Sequence, residues 1–211
     1  VPYHLQAMQR RLTRAFKDQN LDQVLRVSAE FGHYIADACV PLHTTSNYNG
    51  QLTDQVGIQA FWDSRIPELF AMDEFDMIVG TASYIDDPVT YFWDLVLSSH
   101  KEVDKVLGLE KELSQTFPSD KQFCFEERQT QNIRTQCTAY ASAYNLARNN
   151  MVEDLFRIAV KAVGDVWYTA WVDAGQPSPP ANKMVAQRTA EDEELNKAQQ
   201  SGKALGREHD N

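Results

Sequence analysis

From Ile133 to Ala170 the apolar positions step by three or four: Ile133, Cys137, Tyr140, Tyr144, Ala147, Met151, Leu155, Ile158, Ala162, Val166 and Ala170. That period belongs to a helix, so the stretch predicts one long helix or two joined helices with a single buried stripe. A stripe this long must be covered by other elements, and the rest of the chain supplies them. "PYHLQAMQRRLTRAFKDQ" places Leu5, Met8, Leu12 and Phe16 on one helical face, with Pro2 suited to the first turn. Asn20 with Gln23 three residues on reads as the cap of a second helix, which carries Leu25, Val27, Phe31, Ile35 and Ala38. Pro41 lacks an amide donor and crowds the carbonyl of Asp37, so that helix kinks or ends nearby.

Residues 44–55, "TTSNYNGQLTDQ", are polar and read as a loop. "VGIQAFWDSRIPELFAM" reads as a third helix kinked at Pro67, and "PVTYFWDLVLSSHKEVDKVLGLEKEL" as a fourth that starts at Pro88. Residues 73–87 are acidic and mixed, and "PSDKQFCFEERQ" is a connector with room for a short extended piece. Nine glycines and eight prolines in 211 residues leave long stretches free of both. The expected class is all-α, a multi-helix bundle over residues 1–175. Residues 176–211 open with "QPSPPAN" and carry few large apolar groups, which reads as a flexible linker and tail, partly helical around 190–200.

Net charge is −10, of which the tail from residue 176 contributes −1 and the body −9. An acidic body argues against sequence-independent binding to nucleic acid through Lys and Arg, but not against phosphate met through metal ions. Cys39, Cys124 and Cys137 cannot all pair within one chain, and there is no CxxC. No apolar run is long enough for a membrane span, and no leader of the secretory type opens the chain. The chain begins at Val1 in helix-like sequence, so its natural start is expected upstream.

The chemistry concentrates in "GHYIADACVPLH", residues 32–43. His33 and Asp37 are four apart and share a helix face, and a turn at Pro41 can return His43 to the same place. An imidazole and a carboxylate so placed can reach one cation, or one can orient the other. Cys39 points elsewhere on the helix and reads as a core cysteine. The third helix repeats the spacing with Gln59 and Asp63, beside Trp62. Facing helices with such pairs make a polar pocket of the kind that holds metals in bundles. Spacing alone favours a solvated or structural pair over a ligand pair, by about two to one.

"GHYIADACVPLH", the following "NGQ", "GIQAFWDSRIPE" and the later "AVGDVWYTAWVDAGQP" together resemble the zinc-dependent phospholipase C / S1–P1 nuclease superfamily, in particular its bacterial branch, over roughly residues 2–178. The resemblance implies a mostly helical fold, a cleft with three zinc ions, and hydrolysis of phosphate esters by metal-bound hydroxide. By position, His33 matches a ligand of the first zinc and Asp37 the carboxylate that bridges the first and third, which makes Asp37 the expected catalytic position. His43 and Asp63 match ligands of the second zinc. Gln59 stands where the family has a histidine, and its neutral amide is a weaker zinc donor. Nothing in residues 1–32 matches the family's remaining ligands, an N-terminal tryptophan, two histidines and an aspartate. The chain therefore reads as the C-terminal portion of that fold. The resemblance also implies a secreted or periplasmic monomer whose substrate is a phospholipid, a single-stranded nucleic acid or a small phosphodiester.

Other groups get plainer expectations. Arg65 pairs with a carboxylate or approaches a substrate phosphate; Asn47 and Tyr48 sit at the cleft mouth. His4, His100 and His209 are solvated, the run Glu191–Glu194 is a solvated face, and Trp62, Trp93, Trp167 and Trp171 pack in the core. Two functions compete: a zinc-dependent phosphodiesterase, and a non-catalytic helical domain that kept the fold and lost its metals.

Overall fold

In a computed structural model, residues 1–128, 131–147 and 150–178 are described. The compact unit is Val1–Pro177. The expected tail helix around 190–200, the run Glu191–Glu194 and His209 lie outside the described residues.

Helix α1 spans Pro2–Lys17 and α2 Leu21–Ala38. The cap of α2 is Asn20, whose side chain accepts the Gln23 amide at 3.1 Å. Pro41 ends α2 as its chemistry requires: Cys39 and Val40 donate back to Ala36 and Asp37 in tight turns, and a 3-10 turn, Pro41–Thr44, follows. Helix α5 spans Pro88–His100, capped by Asp87, and α8 Met151–Asp173. These four surround one apolar cluster that includes Leu5, Leu12, Phe31, Ile35, Phe92 and Val166.

The third helix is one run built in three pieces. Gly57, with φ of 98°, starts it; α3 is Ile58–Ala60, a π turn covers Phe61–Arg65, and α4 is Ile66–Phe70. Pro67 has no amide to give the carbonyl of Asp63, and the turn before it widens so that Ile66 donates to Phe61. This run packs with α6, Val103–Thr116, and α7, Thr138–Ala147, around a second cluster centred on Phe61, Trp62, Tyr140 and Tyr144. Both phenols of that cluster have partners: Tyr140 donates to Glu110 at 2.8 Å, Tyr144 to the Val106 carbonyl at 2.9 Å.

The chain is mostly helical, as the all-α expectation has it, with one small sheet: β1, Phe123–Arg128, pairs antiparallel with β2, Gln131–Gln136, placing Cys124 beside Thr135 and Glu126 beside Ile133. Two expectations are corrected. Ile133 thus belongs to a strand and not to the long stripe, which divides into α7 and α8. The fourth helix breaks after His100 into α5 and α6, because Lys101 and Glu102 close a turn on Leu97 and Ser99. Cys124 and Cys137 form a disulfide across the base of the hairpin, with Cα atoms 5.0 Å apart. Arg65, buried beneath the hairpin, donates to Glu126, Glu68 and the Gln136 carbonyl and ties these strands to α4.

The acidic segment 73–87 is an extended strap on α8, held by polar groups spaced by four along that helix. Glu153 accepts the Asp76 amide at 2.9 Å, Arg157 pairs with Asp76, and Lys161 reaches Ser83. Asp165 accepts the Ser83 amide at 2.7 Å, Thr169 the Ile85 amide at 3.0 Å, and Asp173 the Tyr84 hydroxyl at 2.9 Å. A step of four advances about 40° round a helix, so the strap winds as it runs.

Candidate metal centre

The chain brings His33, Asp37, His43, Gln59 and Asp63 to one place, where the two apolar clusters meet. Helix α2 presents His33 and Asp37 one turn apart, with Nε2 of His33 3.4 Å from Oδ2 of Asp37. The 3-10 turn carries His43 back over the end of α2, so its Nδ1 lies 3.4 Å from Oδ1 of Asp37. On its far side, Nε2 of His43 lies 3.4 Å from Oδ2 of Asp63 and 3.0 Å from Nε2 of Gln59. Ser64 donates to Oδ1 of Asp63 at 3.0 Å. The π turn matters here: it sets the direction in which the third helix offers Asp63.

His43 is thus gripped by a carboxylate at each ring nitrogen. The hydrogen bond with Asp63 raises its pKa above the ordinary 6.5; burial opposes this, and the charges of Asp37 and Asp63 add to the rise. With His43 neutral, Nδ1–H faces Asp37, and Nε2 has a lone pair free for the Gln59 amide or for a cation. A carboxylate behind the distal nitrogen is the usual way of orienting a ligating histidine.

Among the described residues, no group of three or more His, Cys, Asp or Glu side chains is placed to hold a metal ion. The carboxylates and imidazoles link in a chain, His33 to Asp37 to His43 to Asp63, instead of converging on one point. Only His43 Nε2 and Asp63 converge, and Gln59 joins them. The amide of Gln59 can turn by half a rotation to present Oε1, since nitrogen and oxygen exchange places with little change in shape. His43, Asp63 and a turned Gln59 then make an N, O, O donor set suited to one divalent cation with an open position. Three zincs are not fitted by these residues, because His33 and Asp37 offer the other two ions only two side chains.

A cleft of about 720 Å³ opens beside Asp37, His43 and Asp63. Its wall is apolar, formed by Val40, Trp62, Phe156, Val160, Val163 and Trp167, and among the described residues no Lys or Arg lines it. Trp167 is 40% exposed, and Trp93 on α5 37%, so core packing holds for the buried Trp62 but not for these two. The single stripe expected on α8 does not account for this wall. Phe156, Val160, Val163 and Trp167 form a second apolar stripe on the same helix, and a helix apolar on two faces was the available signal.

The remaining expected residues lie elsewhere. Arg65 takes the carboxylate pairing of its two expected roles, and its guanidinium faces the hairpin. Asn47 is buried in its own loop, accepting the Leu52 amide at 2.7 Å and donating to Thr53 at 3.1 Å. Tyr48 is exposed, and the cleft is lined without Asn47, Tyr48 or Arg65. Cys39 is buried between the clusters, and burial pushes its thiol up to about 12. His4 and His100 are exposed; His100 meets Thr44 at 3.0 Å.

No protein-family model, curated protein or solved structure matches this chain.

Proposed function

We propose that this chain is a zinc-dependent phosphodiesterase domain of the phospholipase C or nuclease type, with one zinc at His43, Asp63 and Gln59. The observation that carries this reading is His43 itself, oriented by Asp37 on one side and turned towards Asp63 on the other, at the edge of a large cleft. The ion would supply Lewis-acid stabilisation of the charge that develops on phosphate oxygens. Asp37, 3.4 Å from Nδ1 of His43, favours the tautomer whose Nε2 lone pair faces Asp63 and Gln59, and as a residue of the cleft wall it is placed to take a proton there. Among the three substrate classes implied by the resemblance, an apolar wall with no Lys or Arg among the described residues supports a phosphate ester with an apolar body, as in a phospholipid, over a nucleic acid strand. The hairpin disulfide supports maturation in an oxidising compartment, secreted or periplasmic. No described helix is long and apolar enough to cross a membrane.

The test is hydrolysis of a chromogenic phosphodiester by purified protein, with and without added zinc. Zinc-dependent turnover lost in Asp63→Ala supports the reading; turnover at background for the parent chain and for Gln59→His sinks it.

One observation favours a second reading, a non-catalytic helical domain. Gln59 occupies the position from which an imidazole would complete the ligand set, and it satisfies His43 directly at 3.0 Å. Under that reading the polar chain serves to fasten the end of α2 to the third helix.

A further inference from the structure

Helix α1 stands apart from the rest of an acidic protein. It has no Asp or Glu over Pro2–Lys17, yet it carries Arg10, Arg11, Arg14 and Lys17, while the whole chain has a net charge of −10. Arg11 lies 3.8 Å from Glu30. Arg10, Arg14 and Lys17 are exposed and have no carboxylate within ion-pair distance among the described residues. They follow at helical spacing, so one face of α1 is a continuous basic strip. With Pro88 and Val89 of α5 they border a groove of about 950 Å³. Among the described residues, the one carboxylate in its lining, Asp173, already accepts the Tyr84 hydroxyl.

The strip does not end in charge. Tyr3 continues the same face of α1 towards the amino terminus, and its ring meets Trp93 of α5 edge-on at 5.9 Å between centroids. Val89, Trp93 and Leu97 repeat every four residues along α5, and all three are exposed. A basic strip that passes into exposed aromatic and aliphatic groups fits a bilayer interface, where cations meet anionic headgroups and Trp and Tyr sit at the boundary with the acyl chains. A soluble polyanion would be served by the cations alone and gives no reason for the apolar half. Repulsion between the acidic body and an anionic surface is screened beyond about 8 Å at physiological salt, so the charges nearest the surface decide.

We propose that the face formed by α1 and α5 docks on the surface of an anionic lipid bilayer, with Arg10, Arg14 and Lys17 against headgroups and Tyr3, Trp93 and Leu97 at the interface. This surface is separate from the candidate metal centre and does not rest on zinc or on hydrolysis.

The experiment is co-sedimentation of the full chain with vesicles of phosphatidylcholine alone and of phosphatidylcholine mixed with phosphatidylserine, at low and high salt. The expected result is retention by the anionic vesicles that weakens with salt. Each of Arg10→Gln, Arg14→Gln and Lys17→Gln should lower the partition about fivefold. Trp93→Ala should lower it severalfold while the salt dependence remains, and circular dichroism should show each variant folded, since all four side chains are exposed. Equal retention by neutral vesicles overturns the proposal. So do unchanged partition in the triple Gln variant, and capture by soluble polyphosphate without any by vesicles.

Discussion

Nε2 of His43 lies 3.4 Å from Oδ2 of Asp63, joining a 3-10 turn that leaves α2 to a π turn in the third helix. Neither turn is a regular helix, and each owes its form to a proline: Pro41 stops α2 and starts the first, while Pro67 leaves the Asp63 carbonyl without its usual donor. Two prolines therefore set the geometry of the candidate site.

This contact predicts a pH dependence in metal-free protein. The His43 pKa is raised, first by the hydrogen bond to Asp63, so protonated His43 stabilises the fold. That stabilisation is fully present below the ordinary value of 6.5 and is lost as pH rises through the folded value. We predict that an imidazole titration by NMR finds His43 above the ordinary value and that Asp63→Asn brings it down. A His43 that titrates identically in both proteins would remove the contact.

Cys39 predicts a difference in thiol reactivity. With its thiol buried and raised to about 12, almost no thiolate exists at neutral pH. Alkylation of native protein should leave Cys39 untouched, whereas unfolding without reductant should label Cys39 alone, since Cys124 and Cys137 are joined. Label on Cys124 or Cys137 before reduction would contradict that pairing.

The strap predicts a local effect. Asp165 is buried, and besides the Ser83 amide it accepts the Tyr91 hydroxyl at 3.2 Å and pairs with Lys161. Asp165→Ala leaves those donors without their acceptor and should cost about 1–3 kcal/mol. Amide exchange at Ser83 should speed up most, with less effect in α1. Uniform change across the chain would mean that Asp165 acts on global stability and not on the strap.

Much of this was legible in the sequence, and the failures have physical causes. The helical period placed α1, α2 and α8, and the spacing of His33 with Asp37 and of Gln59 with Asp63 placed the polar pairs, because both rest on local geometry that the chain cannot escape. The hairpin is not legible in the apolar period, because a three-to-four step runs through Ile133 by accident and Cys137, apolar in that pattern, is half of a disulfide. The strap carries no period because it is held by another element's side chains, a relationship that spacing within the segment cannot express. How the polar pairs face each other depends on the turns at Pro41 and Pro67, and sequence supplied the turns without their angles.

The proposed centre is a cation held by His43, Asp63 and Gln59. Calorimetric titration of zinc into metal-free protein tests it most directly. The prediction is binding that disappears in Asp63→Ala and tightens by roughly tenfold or more in Gln59→His, where imidazole replaces a neutral amide. An absence of zinc binding in both the parent chain and Gln59→His would contradict it.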